Sequence, residues 1–170
     1  MIRMKDEYLK ELLSDLLVLE EKWEISLDES KFEVMELIDK PTPYKFYLYY
    51  PLLFLNVKEI DKEKLNKLLK FNSFYFFYIL SFDNQIDRHE TNQNVQIKIH
   101  IYHERALYYA HALFESESIF WNHLAEFQKE YFGSLKKGTT ANGKIRNESS
   151  VQEFYEISKG KSAIAKIAFV

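Results

Sequence analysis

Apolar and polar positions along the chain recur mostly with a helical period. Asp6 to Trp23 puts Leu9, Leu12, Leu13, Leu16 and Trp23 on one stripe with acids and lysines opposite, the pattern of an amphipathic helix. Ser30 and Glu33 have capping-box spacing ahead of Val34, Leu37 and Ile38, which predicts a second helix stopped by Pro41 and Pro43. Tyr44 to Val57 is ambiguous. Its Tyr and Phe density favours a strand, whereas its length and lack of alternation favour a buried helix kinked at Pro51. The helical reading is preferred because no second convincing strand exists to pair with it.

Asp61 stands where it can cap the next helix, and Glu63 and Lys67 are in the favourable i,i+4 order. This helix runs through Leu65, Leu68 and Leu69 into Phe74-Tyr75-Phe76-Phe77-Tyr78-Ile79-Leu80, apolar on nearly all sides, and ends in Asp83-Asn84-Gln85-Ile86-Asp87. At about 100° per residue, Leu65, Leu69, Phe76, Leu80, Asp83 and Asp87 fall in a narrow sector of one face. Asp83 and Asp87 are then neighbours, one turn apart, at the end of the buried stripe. Two carboxylates on an apolar face cannot sit dry and unpaired. One reading has them facing a cavity and holding magnesium through oxygen, with positions left for phosphate. The other ends the helix at Ile86, with both acids solvated or paired to Lys or Arg.

The polar run Arg88 to Asn94 separates this helix from one over about Val95 to Glu115, rich in His and Tyr. Ser116-Glu117-Ser118 marks a break, after which Ile119 to Leu135 carries Phe120, Trp121, Leu124, Phe127 and Tyr131 at helical spacing. An exposed loop is expected over about 133–148, holding Gly133, Gly138, Gly143 and the basic Lys136, Lys137, Lys144 and Arg146. Ser150 and Glu153 again have capping-box spacing before a helix with Val151, Phe154, Ile157, Ile164 and Ile167. Gly160 inside it marks a kink or a close approach. Ala168-Phe169-Val170 ends in mid-pattern without a C-cap, which reads as a domain cut short. The expectation is one all-α domain over 1–170, incomplete, of about seven helices.

Composition narrows the chemistry. The 170 residues suffice for one domain with a real core, and 14 Phe and 12 Tyr against 4 Gly and 3 Pro fit a mostly helical chain. The net charge of −3 is spread along the chain, so there is no electrostatic footprint for nucleic acid. Absence of Cys excludes disulfides, thiolate metal sites and thiol nucleophiles, and fits a reducing, cytoplasmic setting. The N-terminus lacks the apolar core of a signal peptide. Tyr44 to Val57 is too short, and interrupted by Lys45 and Pro51, for a transmembrane segment.

Several motifs fail on context. Gly138 to Lys144 has P-loop glycine and lysine spacing, but Ile145 follows where a hydroxyl belongs and no strand precedes it. Gly160-Lys161-Ser162 fails because Tyr155 stands at the first glycine position. His100 and His103 share a face with Glu104 next to them, yet neither the zincin nor the di-iron Glu-x-x-His spacing occurs, and these read as ordinary helix histidines. No Gly-x-Ser-x-Gly is present.

The order of features carries a resemblance. Tyr49-Tyr50-Pro51-Leu52-Leu53-Phe54 precedes a helix ending in Asp83-Asn84-Gln85-Ile86-Asp87. A Tyr/His-rich helix, Phe120-Trp121 and then Lys159-Gly160-Lys161-Ser162-Ala163 follow. This resembles the N-terminal part of the class I isoprenoid biosynthesis (terpenoid synthase-fold) enzymes, particularly bacterial relatives of terpene synthases. The resemblance implies an all-helical bundle around a cavity, in which an aspartate-rich motif binds magnesium that grips an isoprenyl diphosphate. It makes Asp83 and Asp87 the catalytic metal ligands, Phe76 and Leu80 substrate-pocket residues, and Lys159, Lys161 and Lys166 diphosphate partners. Asn84 departs from an aspartate common at the second position. The family's second metal motif has no counterpart, since Ser149 to Val170 contains no acid pair after Glu156. The implied protein is the aspartate-rich half of a terpene cyclase or prenyltransferase, completed by a partner chain or a missing C-terminal half. A non-catalytic helical interaction module and a hydrophobe-binding helical protein are the alternatives.

Overall fold

The computed structural model describes residues 2–39, 48, 61–87, 92–138 and 150–161. These form six helices and, among the described residues, no strand: α1 (Ile2–Trp23), α2 (Asp28–Asp39), α3 (Lys62–Asp87), α4 (Gln93–His111), α5 (Ile119–Gly138) and α6 (Val151–Lys161). The all-α expectation holds at that level. Of the ambiguous Tyr44–Val57 segment only Leu48 is described, fully buried with its carbonyl accepting from Ser73 Oγ at 3.1 Å. Among the described residues, no helix is long and apolar enough to cross a membrane. The chain divides into two compact units, Met1–Phe82 with Asn92–Leu113, and Asp83–Thr91 with Phe114–Val170.

In the first unit α1 and α2 form a helical hairpin. Leu9, Leu12 and Leu16 of the expected stripe are fully buried, while Trp23 at its end is exposed. α1 stops in a Schellman arrangement: Glu24 takes the left-handed conformation (φ 50°) and Ile25 N–H donates to Glu20 O at 3.3 Å. α2 starts at Asp28, two residues before the expected Ser30 cap, and Ser26 Oγ accepts from Asp28 N–H at 3.3 Å. Ser30 is instead buried, hydrogen-bonded to the Tyr102 hydroxyl at 2.7 Å. A buried tyrosine hydroxyl requires such a partner, and that need outweighs the local capping signal.

α3 is buried on most sides between Phe71 and Ile79. Phe74 stacks on Tyr109 of α4 at 6.0 Å between centroids, and Phe77 meets Tyr102 at 5.5 Å. The stripe assigned to the inside is inside only at Leu65 and Leu69. Phe76 is half-buried and Leu80 is 37 % exposed. A segment apolar all round gives periodicity no face to mark, so packing against α4 chooses it. Asp61 caps α3 as expected, its Oδ2 accepting from Lys64 N–H at 3.3 Å.

In the second unit α5 packs on α6. α5 continues to Gly138, so Gly133 to Gly138 is helix where the sequence suggests the start of a loop. Burial of Ser134 and Leu135 holds those turns in place. Gly160 is a close-approach glycine: a Cβ there would lie 2.4 Å from Ser134 Cβ and 3.2 Å from Glu130 O. The Ser150–Glu153 capping box forms, with Ser150 N–H donating to Glu153 Oε2 at 2.9 Å and Glu153 N–H to Ser150 Oγ at 3.2 Å. The apolar stripe of α6 is not core where it is described. Val151, Phe154 and Tyr155 are exposed and Ile157 alone is half-buried. Ile164, Ile167 and the segment 139–149 lie outside the described residues.

Candidate functional site

The aspartates terminate α3 as the spacing demands. Asp83 is half-buried in the last turn and Asp87 is exposed at its final residue. Asp83 Oδ1 accepts from the hydroxyl of Tyr131, a buried residue of α5, at 2.9 Å. α3 has no basic residue in its last turn. Two carboxylates four residues apart at the negative end of the helix dipole are each unfavourably placed.

Magnesium is commonly held by one or two carboxylates with phosphate and water filling an octahedral shell, so the donor chemistry of Asp83 and Asp87 fits it. Among the described residues, no group of three or more His, Cys, Asp or Glu is arranged to hold a metal. The two aspartates alone do not make up such a group. Asn84 is half-buried beside them on α3.

The other expected site residues are dispersed. Phe76, half-buried edge-on to Phe77, and Leu80 belong to the first unit. Lys159 lines a groove of about 390 Å³ between α5 and α6, with Glu126, Lys129, Glu130, Gly133, Ser134, Lys137, Glu156 and Gly160. Neither aspartate lines that groove. The Lys161 side chain and Lys166 lie outside the described residues. The histidines are not gathered: His100 pairs with Glu104 at 3.5 Å, and His103 lies over the Tyr78 ring at 4.6 Å, where burial lowers its pKa.

Sequence reasoning treated Tyr131 only as core spacing on α5 and missed its hydroxyl's role. A tyrosine at a core position is itself the available signal, because its oxygen must find a partner. Lys129 also escaped notice and Lys137 was assigned to the loop, although with Gly133 they recur every four residues along one face of α5.

The first unit holds a separate polar centre. Asp15 accepts from Tyr109 O–H at 2.6 Å and pairs with Lys70 at 3.1 Å and, more distantly, Arg105 at 3.9 Å. The Arg105 guanidinium lies 4.9 Å over the Tyr109 ring. Burial, then the Asp15 carboxylate, pushes the Tyr109 hydroxyl well above the usual tyrosine range. Lys70 also reaches Glu11 at 3.4 Å, so two cations meet two carboxylates, which marks this as a structural clamp between α1, α3 and α4.

Comparison with family models, curated proteins and solved structures finds no match to this chain.

Proposed function

We propose that this chain is the aspartate-rich half of a magnesium-dependent enzyme that uses an isoprenyl diphosphate, of terpene cyclase or prenyltransferase type. The observation that carries the reading is the Asp83–Asp87 pair, one turn apart at the dipole-negative end of α3, with Asp83 gripped by Tyr131. Bound there, magnesium would supply Lewis acidity toward diphosphate oxygens. The chain's own share is to present the two carboxylates and to offer ammonium groups, Lys159 among them, to an anionic substrate. A partner chain or a C-terminal half would provide the remaining ligands. Lack of cysteine suits a cytoplasmic role.

The test is thermal stability of the full chain with Mg²⁺ and a non-hydrolysable isoprenyl diphosphate analogue. The melting temperature should rise with both present, and the rise should vanish in Asp83→Ala and Asp87→Ala. A melting temperature indifferent to both ligands refutes the reading.

A second reading has its own observation. Val151, Phe154 and Tyr155 sit at i, i+3 and i+4 on α6 and are 88, 67 and 59 % exposed. Such a stripe suits a non-catalytic interaction module that seats α6 in a partner's groove. Sedimentation at increasing concentration separates the two: ligand-independent association abolished by Phe154→Ser favours the module.

A further inference from the structure

We infer that the α1–α2 hairpin is a docking surface for the basic amphipathic helix of a partner protein, seated in an acid-rimmed apolar trough between the two helices. The inference stands apart from the aspartate pair of α3.

The trough follows from where the hairpin is pinned. Glu20 reaches from α1 to α2: its Oε1 accepts from Leu27 N–H at 2.9 Å and its Oε2 pairs with Lys31. Helix faces repeat at three and four residues, so Leu17 and Leu13 continue the side of α1 that Glu20 marks. Met35 and Ile38 continue the side of α2 that Lys31 marks. The helices of such a hairpin run antiparallel, so both steps lead away from the turn and the four side chains line one trough. Leu17 is 50 % exposed and Met35 is 49 % exposed, with Leu13 and Ile38 half-buried farther along. Apolar side chains exposed singly are ordinary, but a row of them on two facing helices is the form of a groove that seats a third helix. The flexible thioether of Met35 suits a lip that must mould to its guest.

Charge decides the guest. Residues 13–38 contain eight Asp and Glu against Lys22 and Lys31, so this stretch is more negative than the whole chain at −3. Lys31 is already held by Glu20 and Asp28. Glu21 stands one turn beyond Leu17, and Glu24 and Asp28 follow at the hairpin turn, all three exposed. At the opposite end the exposed Lys10 precedes Leu13. An acidic helix is repelled by this rim and a neutral one gains nothing from it. A helix with one apolar face flanked by Lys or Arg meets both the trough and the rim.

The experiment follows the fluorescence anisotropy of a labelled designed peptide titrated with the full chain. The peptide carries leucines at i, i+3, i+4 and i+7 and lysines on its other faces. One control scrambles the same composition to remove the apolar face, and a second replaces every lysine with glutamate. The basic amphipathic peptide should bind, more weakly as salt rises, and neither control should. Leu17→Ser combined with Met35→Ser should weaken binding about tenfold by removing both exposed apolar anchors. Glu21→Gln combined with Glu24→Gln should weaken it and flatten its salt dependence. Phe154→Ser, an exposed apolar position on α6, should leave it unchanged. The substituted side chains are exposed, and an unchanged melting curve by circular dichroism checks that each variant folds. A scrambled peptide that binds as tightly, or an affinity indifferent to the Leu17 and Met35 changes, reduces the contact to general charge attraction and overturns the trough. Preference for the glutamate peptide overturns the charge of the guest. If sedimentation shows the chain associating with itself, and the Leu17 and Met35 changes abolish that association, the occupant is a second copy and the foreign basic helix is wrong.

Discussion

Replacing Gly160 with alanine asks whether α6 docks where the structure has it. In an ordinary helix interior the change would stabilise by about 1 kcal/mol, because alanine loses less backbone freedom on folding. Here the new methyl would stand 2.4 Å from Ser134 Cβ, 3.0 Å from its Oγ and 3.2 Å from the Glu130 carbonyl. The first contact is far inside van der Waals distance, and Cβ is the stem of its side chain, so no rotamer relieves it. The helices must separate by roughly an ångström, at a cost typical of overpacking, about 1–3 kcal/mol. The clash exceeds the propensity gain over most of that range, giving a net loss on the order of 1 kcal/mol. Urea denaturation followed by circular dichroism measures it. Ser134→Gly should be destabilising alone, yet in the Gly160→Ala background it should recover stability, since the small residue has only changed sides. A Gly160→Ala protein more stable than wild type, with additive behaviour in the double mutant, would refute the close approach and with it the α5–α6 packing.

Three further outcomes are expected. Glu24→Gly should stabilise by about 0.5–1 kcal/mol in the same assay, because Glu24 takes a φ of 50° that glycine adopts without a Cβ penalty. Asp87→Asn should stabilise the protein by roughly 0.5 kcal/mol at low salt, by removing a like-charged i,i+4 neighbour from the helix's negative end. His103 has its pKa lowered by burial, next by His100, with Glu104 opposing. The unfolded chain then binds the extra proton first, so stability is full above the ordinary histidine value of about 6.5 and declines as pH falls from there to the folded pKa. His103→Gln should flatten that part of a stability–pH profile.

The helices were legible wherever polar and apolar positions contrast. α1 shows this, with Leu9, Leu12 and Leu16 buried as their spacing required. The capping box of Ser150 and Glu153 was equally legible, because its whole mechanism lies within four residues. Ser30 shows the limit of local reasoning. It has the same spacing, but a buried hydroxyl 72 residues away in sequence, that of Tyr102, claims its side chain. Phe76 and Leu80 show a different limit: within a run of aromatics every face is apolar, and only the arrival of α4 decides which one is covered. The site divides along the same line. The aspartate pair could be read from spacing on one helix, whereas Tyr131 belongs to it only through a contact spanning 48 residues.

That contact bears on why the acids persist at the end of α3. A carboxylate in a helix's last turn costs about 0.3–1 kcal/mol against the dipole, and a like-charged neighbour four residues away adds about 0.2–0.5. Selection for stability alone would place Lys or Arg there, yet this turn contains none. A hydrogen bond from a buried hydroxyl to a charged acceptor is worth about 1.5–3 kcal/mol, enough to hold Asp83 in a position it would otherwise disfavour. The same bond cannot account for Asp87, which stands exposed at the helix end. Asp83 is anchored by a hydroxyl from another helix and Asp87 stands exposed one turn away, so the two acids of this turn are held differently. Under the proposed function, a cation bringing its own phosphate and water ligands would suit that asymmetry.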